Sequence, residues 1–153
     1  MKNAFFLIFF VASIPDFAQQ FATTFQKAID QGIFIEKLDS IYKPALSSDS
    51  LKSVFAGKEK EFYESYVSLL KELGSFLKSN NYTWNKTTRC FNRIYLNNEG
   101  HIDYFLFNFK PGELEPDKEQ QFEKLLTKFI QTYRFPLKAD SKFAQCSPVI
   151  YSD

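Results

Sequence analysis

The chain is predicted to be α+β, with N-terminal helices packed against a C-terminal ββαβ unit that forms a three-stranded antiparallel sheet. Three observations predict it. Two aromatic and β-branched runs, at 89–96 and 102–109, flank a turn-forming stretch. Residues 122–133 repeat apolar side chains at helical spacing. A last aromatic and β-branched run, 143–151, follows that helix and returns to strand composition.

In the first run, Cys90, Ile94 and Leu96 share one face, and Phe91, Arg93 and Tyr95 share the other. Asn97, Asn98, Glu99 and Gly100 then supply turn chemistry, because Asn tolerates left-handed backbone angles and Gly adopts them without steric cost. In the second run, Ile102, Tyr104 and Leu106 alternate with Phe105, Phe107 and Phe109. Both faces are apolar, so helices must cover at least one of them. Pro111 and Gly112 break the strand, and Pro116 fits the first turn of a helix, where its missing N–H would have no partner in any case. Asp117 with Gln120 resembles a capping box at the same boundary. Phe122, Leu125, Leu126, Phe129, Ile130 and Tyr133 form one stripe, whose burial stabilises the fold by roughly 1.5–3 kcal/mol per side chain before entropy. Pro136 is expected to end the helix.

The final run contains Pro148, which cannot donate to a ladder and therefore belongs on an edge strand. A right-handed crossover through the helix returns this strand parallel to the second and beside the first. Cys90 and Cys146, the only two cysteines, then fall on adjacent strands. A disulfide between them would stabilise the chain by roughly 4 kcal/mol in the loop-entropy model. Two buried free thiols are the other reading.

A net charge of +1 gives no pull toward nucleic acid or an anionic membrane. The start of the chain has secretory-signal character: a basic Met1, Lys2, Asn3, an apolar run from Ala4 to Ile14, and a cleavage point after Ala18. That run is shorter than the roughly 20 residues of a membrane span. The expectation is a periplasmic or secreted protein with no stable membrane span, divided into 1–18 signal, 19–80 helical region and 81–153 ββαβ domain. Export makes a disulfide credible.

Within 19–80, Phe21, Phe25, Ala28, Ile29 and Ile33 stand at helical spacing, and Leu38, Ile41 and Tyr42 suggest a second short helix before Pro44. From Leu51 to Leu77 the pattern gives one amphipathic helix, or two joined near Gly57, with its charges on a solvated face. Tyr82 to Trp84 could open an extra strand; Trp84 is read as a packing residue. Asn81 and Asn85 each begin an N-glycosylation pattern, with Thr83 and Thr87.

Chemistry is sparse. His101 is the single histidine, in the hairpin turn, and no nucleophile motif accompanies it and Asp103. One histidine and two separated cysteines do not make a metal site. Five scattered glycines form no phosphate loop, so no cofactor is expected.

Residues 89–151 resemble the C-terminal domain of TonB-family proteins. The likeness rests on the run from Phe91 to Ile102, the helix at 122–133, Arg134, Phe135 and Pro136, and the closing Val149, Ile150 and Tyr151. The resemblance implies strand addition: an extended segment of an envelope protein, or a peptide, pairs with the last strand. On this chain that places binding on Phe143, Gln145, Val149 and Tyr151. Two other functions stay open: a small hydrolase using carboxylates between the two halves, and an assembly protein whose N-terminal helices pair between chains. The oligomeric state is left open.

Overall fold

The computed structural model describes residues 20–153. The export signal read over 1–18 lies outside those residues.

The sheet is built outward from β3 (Thr88–Leu96), with β4 (Ile102–Phe109) antiparallel on one side and β5 (Phe143–Tyr151) antiparallel on the other. Two short strands from the N-terminal half extend it. β1 (Phe21–Thr24) runs parallel to β4, and β2 (Lys43–Pro44) runs parallel to β5 beside Phe143 and Ala144. The sheet is therefore five-stranded and mixed, in the order β1-β4-β3-β5-β2, rather than three-stranded and antiparallel. Its middle three strands keep the order and directions that the crossover argument predicts.

The region 19–80 is not purely helical. Residues 21–24 fit a helical repeat on paper, yet β4 has an open edge and apolar faces, and pairing Ala22 with Phe105 buries both. Thr24 closes the strand and caps α1 (Phe25–Asp30), its Oγ1 accepting from Lys27 N–H at 3.3 Å. α2 (Ile35–Ile41) follows. The segment 51–58 is turns, with Gly57 at φ 79°, so α3 (Glu59–Ser79) begins later than the periodicity suggests. Tyr82 to Trp84 is an irregular link rather than a strand, and Trp84 stacks on Tyr151 at 4.6 Å in the core.

α4 (Pro116–Thr132) has Pro116 in its first turn and buries the predicted stripe. No side chain caps its N-terminus, so the capping box does not form. It ends four residues before Pro136, because Tyr133 turns extended at ψ 144° and Phe135 N–H donates to Gly100 O at 2.9 Å.

α3 and α4 cover one face of the sheet, over Cys90, Ile94, Leu96, Phe105, Phe107 and Phe143. α1 and α2 cover part of the other, with Ala28, Leu38 and Tyr42 over Tyr95, Leu106 and Ala144. A bulge resets the hairpin: Tyr95 faces Tyr104 but Leu96 faces Ile102, so Asp103 is the extra residue. That shift turns Ile102 toward α4 and leaves Asp103 buried on the opposite side, where Tyr42 Oη donates to it at 2.7 Å and Lys142 Nζ lies 3.5 Å away.

The hairpin turn is tied to the segment after α4 at Gly100. Its φ is +86°, and a Cβ there would sit 2.4 Å from Phe135 O. Gly100→Ala should therefore lower unfolding free energy by about 2 kcal/mol or more in urea titration, from left-handed strain plus the clash. Gly74, inside α3 with nothing within 4 Å, makes the contrast. Gly74→Ala should raise stability by about 0.5–1 kcal/mol. Equal responses at the two positions would contradict this packing.

Candidate functional site: the outer edge of β5

β5 is paired along its whole inner side with β3, but β2 covers only its first two residues on the outer side. Ala45 N–H donates to Ala144 O at 2.8 Å and Lys43 N–H to Lys142 O at 3.0 Å. Even-numbered residues thus direct their backbone groups outward. Past Ala144 these are the N–H and C=O of Cys146, the C=O of Pro148, and the N–H and C=O of Ile150. None has a backbone partner among the described residues. Only the Cys146 carbonyl is engaged, by the Gln145 side-chain amide at 3.3 Å. Pro148 stands where its missing N–H faces away from the ladder, which is why a proline is tolerated in a strand paired along its full inner length.

The four residues named from sequence lie elsewhere in this geometry. Phe143 and Tyr151 are core side chains, and Gln145 and Val149 are half-buried on the same, helix-covered face. Their backbone groups bond β3. The outward set is Cys146, Pro148 and Ile150, and finding it needs the β3–β5 register, which composition alone does not give.

Register also settles the cysteines. Cys90 pairs with Val149, and Cys146 pairs with Arg93. An odd offset of three residues puts the two thiols on opposite faces. They are adjacent in strand but separated by the sheet, and both are free, Cys90 buried and Cys146 exposed. The expected disulfide does not form in this geometry. Burial pushes the Cys90 thiol up to about 12, and burial raises the Cys146 thiol despite the nearby Arg93. Neither thiol is set up as a thiolate nucleophile at neutral pH.

α3 runs along β5 in the same direction. Phe62 meets Phe143, the Tyr66 hydroxyl is hydrogen-bonded to Ser147, and Gly74 and Leu77 share a cleft with Ser152. Phe76 packs on Phe129 of α4. Helical geometry then puts Tyr63, Val67 and Leu70 on the opposite flank, overlooking the outer edge of β5. Tyr63 is 64% exposed. On the other face of the same edge, Ile150 is 65% exposed beside Cys146 and Pro148. The edge thus has apolar side chains above and below, with Arg89 and Arg93 beside Ile150 and Cys146 on the open face and Glu64 and Lys71 beside Tyr63 and Val67 on α3.

A cleft closes each end. One of about 310 Å³ opens where β2 leaves β5, lined by Asp39, Tyr42, Pro44, Leu46, Arg93 and Cys146. Its charges are internally matched: Arg93 Nη1 donates to Asp39 Oδ2 at 2.7 Å, and Tyr95 Oη donates to Asp39 Oδ1 at 2.9 Å. The other, about 500 Å³, lies beyond Tyr151 and is lined by Lys71, Gly74, Lys78, Tyr82, Trp84 and Ser152. Asp39 and Asp103 are the acids nearest the first cleft, and both are held by partners of opposite charge and by tyrosines, which is structural use of a carboxylate. Burial, followed by the bond to Asp103, drives the Tyr42 hydroxyl far above its ordinary value. No group of three or more metal-binding side chains exists among the described residues. His101, half-buried after the turn, donates its backbone N–H to Asn97 Oδ1 at 3.0 Å. No helix among the described residues is long and apolar enough to cross a membrane.

Comparison with protein-family models, curated proteins and solved structures found no match.

Two expectations follow from the register. A thiol reagent should label one cysteine in the native protein and two after unfolding without reductant; no reactive thiol in the unfolded, unreduced protein would mean a disulfide. Val149→Pro, which removes a bond to β3, should cost more than about 2 kcal/mol. Ile150→Pro removes an outward N–H, and should change the unfolding free energy by less than about 1 kcal/mol. The reverse order would place the outward groups on odd residues.

Proposed function

We propose that this chain is an exported, non-enzymatic binding module of the cell envelope that takes up an extended segment of another protein by strand addition, as the TonB C-terminal domains it resembles do. The observation that carries the reading is the run of outward backbone groups at Cys146, Pro148 and Ile150 that have no backbone partner among the described residues. An added strand would satisfy them, and main-chain bonds of this kind provide affinity while flanking side chains provide selectivity. The apolar borders at Tyr63, Val67, Leu70 and Ile150 support it, since an incoming strand alternates its side chains between the two faces. Export rests on the character of residues 1–18.

β2 narrows the available edge. It already occupies Phe143 and Ala144, so the first outward group left for an added strand is the Cys146 N–H, and the Gln145 side-chain amide must release the Cys146 carbonyl. A side chain–backbone bond at the surface is replaced by a backbone bond, an exchange that costs little.

Immobilised chain and its Ile150→Pro variant, exposed to the same envelope extract, test the proposal. Partner recovery should fall at least about tenfold in the variant, corresponding to roughly 1.4 kcal/mol for a lost backbone bond and a displaced side chain, while the urea midpoint holds. Equal recovery of every partner by a folded Ile150→Pro variant would reject strand addition at this edge.

A further inference from the structure

We infer that the cleft where β2 leaves β5 takes one aromatic side chain of the added strand, carried by the residue that lies beside Cys146. The inference rests on the strand-addition reading and names the side chain that anchors the guest.

Position comes first. Residues opposite one another in a sheet point to the same face. Cys146 shares the open face with Arg93, its partner on β3. A guest residue beside Cys146 therefore turns its side chain to that face. The cleft of about 310 Å³ opens there, and Cys146 is part of its lining. β2 stops the guest from sliding further, because it already pairs with Phe143 and Ala144 and leads into the fully buried Ala45. The next guest residue on the open face lies beside Pro148, which is not part of the lining. The cleft thus receives a single side chain, from the C-terminal end of an antiparallel guest or the N-terminal end of a parallel one. Its volume stands at the lower limit of small-molecule pockets, which suits one large side chain.

The lining selects the chemistry. Pro44, Leu46 and Ala144 make an apolar wall. Tyr42 adds a ring that already meets Tyr95 edge-on at 5.2 Å and Tyr104 at 6.3 Å, a cluster that a guest ring would extend. The remaining wall is an ion pair, in which Arg93 Nη1 donates to Asp39 Oδ2 at 2.7 Å and Tyr95 Oη donates to Asp39 Oδ1 at 2.9 Å. The guanidinium bonds through that one nitrogen, and no aromatic ring lies over it among the described residues. A planar guanidinium stacks on a ring face while keeping its in-plane hydrogen bonds.

Charged side chains fit less well. An acid would set a second carboxylate beside Asp39, and a base would set a second cation beside Arg93. The neighbouring lysines do not change this balance. Lys142 lies 3.5 Å from Asp103 and 5.3 Å over the Tyr42 ring, and Lys43, in register with Phe143, turns to the other face. A ring meets both the apolar wall and the guanidinium without adding charge, whereas an aliphatic side chain meets only the first.

Cys146 makes the cleft readable. Its thiol is exposed and the only other one, Cys90, is buried, so disulfide exchange on the native chain attaches fragments at the cleft alone. The probes are four small disulfides that share one linker and end in a phenyl ring, an isobutyl group, a carboxylate or an ammonium. Competing thiol is raised until half of each fragment is released, as read by intact mass. Relative to the urea-unfolded chain, the phenyl fragment should need about tenfold more thiol than either charged fragment and about threefold more than the isobutyl one. Equal release of ring and charge would overturn the aromatic preference. The preference should persist in Ile150→Pro, which alters the far end of the edge; its loss there would overturn the placement in the cleft.

A random ten-residue peptide library selected on the chain, with Ile150→Pro as the counter-selection, then tests the anchor. Retained peptides should carry an aromatic residue near one end, protect Cys146 from a thiol reagent, and weaken about tenfold when that residue becomes Glu or Lys. Retained peptides that lack the aromatic end, or that leave Cys146 labelling unchanged, would overturn the anchor and leave strand addition standing. A library yielding nothing that distinguishes the chain from Ile150→Pro would remove both strand addition and its anchor.

Discussion

Every element is placed by β3, the strand bonded on both sides and covered on both faces. Its residues Cys90, Ile94 and Leu96 are buried under α3 and α4, and Tyr95 is buried under Tyr42 and α2. Its polar interior residue, Asn92, is fully buried and donates to the Tyr151 hydroxyl at 2.7 Å, with the Cys90 thiol donating to Asn92 Oδ1 at 3.3 Å. A polar triad of this kind tolerates only one alignment, because a shift by one residue would expose each group to an unmatched apolar partner. It therefore fixes the register of β5 on β3, and that register decides which backbone groups reach solvent.

The N-terminal half serves this sheet rather than standing apart from it. β1 closes the outer edge of β4, and Gln20 donates to Ile102 O at 3.0 Å and to Ile130 O at 2.9 Å, joining strand to helix. β2 closes the first part of β5 and then departs, with Val54 N–H returning to Pro44 O at 3.1 Å and Phe55 N–H to Ala45 O at 3.1 Å. The opening that follows is thus bounded by structure on every side except one. Two ends of one strand come to differ in accessibility because a two-residue strand covers only one of them.

The hairpin and α4 were legible because each carries its own period: alternation over eight or nine residues, and a stripe over three turns. β1 and β2 were not, because four residues and two residues hold no period, and Phe21 joins a helical spacing by coincidence. The cysteines show the limit more sharply. Topology put them on neighbouring strands, correctly, but the face of Cys146 depends on the chain length between Tyr133 and Phe143, where Tyr133 leaves the helix early. The bulge at Asp103 escaped because strict alternation was assumed through the hairpin, although a charged residue inside an apolar run was a signal that something there broke it. The edge was legible through Pro148, whose presence implied an unpaired side; which residues shared that side was not.

Pro148 carries one more consequence. A strand edge that can receive another protein's segment can in principle receive its own twin, and open edges are where chains stick to themselves. If two copies met edge to edge about an axis through residue 148, each proline carbonyl would look across at a ring nitrogen that has no hydrogen to give. Two central bonds would be forfeited at the heart of such a dimer. A foreign strand can put a different residue there and lose only one, so the same imino acid that leaves the door open discourages the molecule from walking through it into a filament.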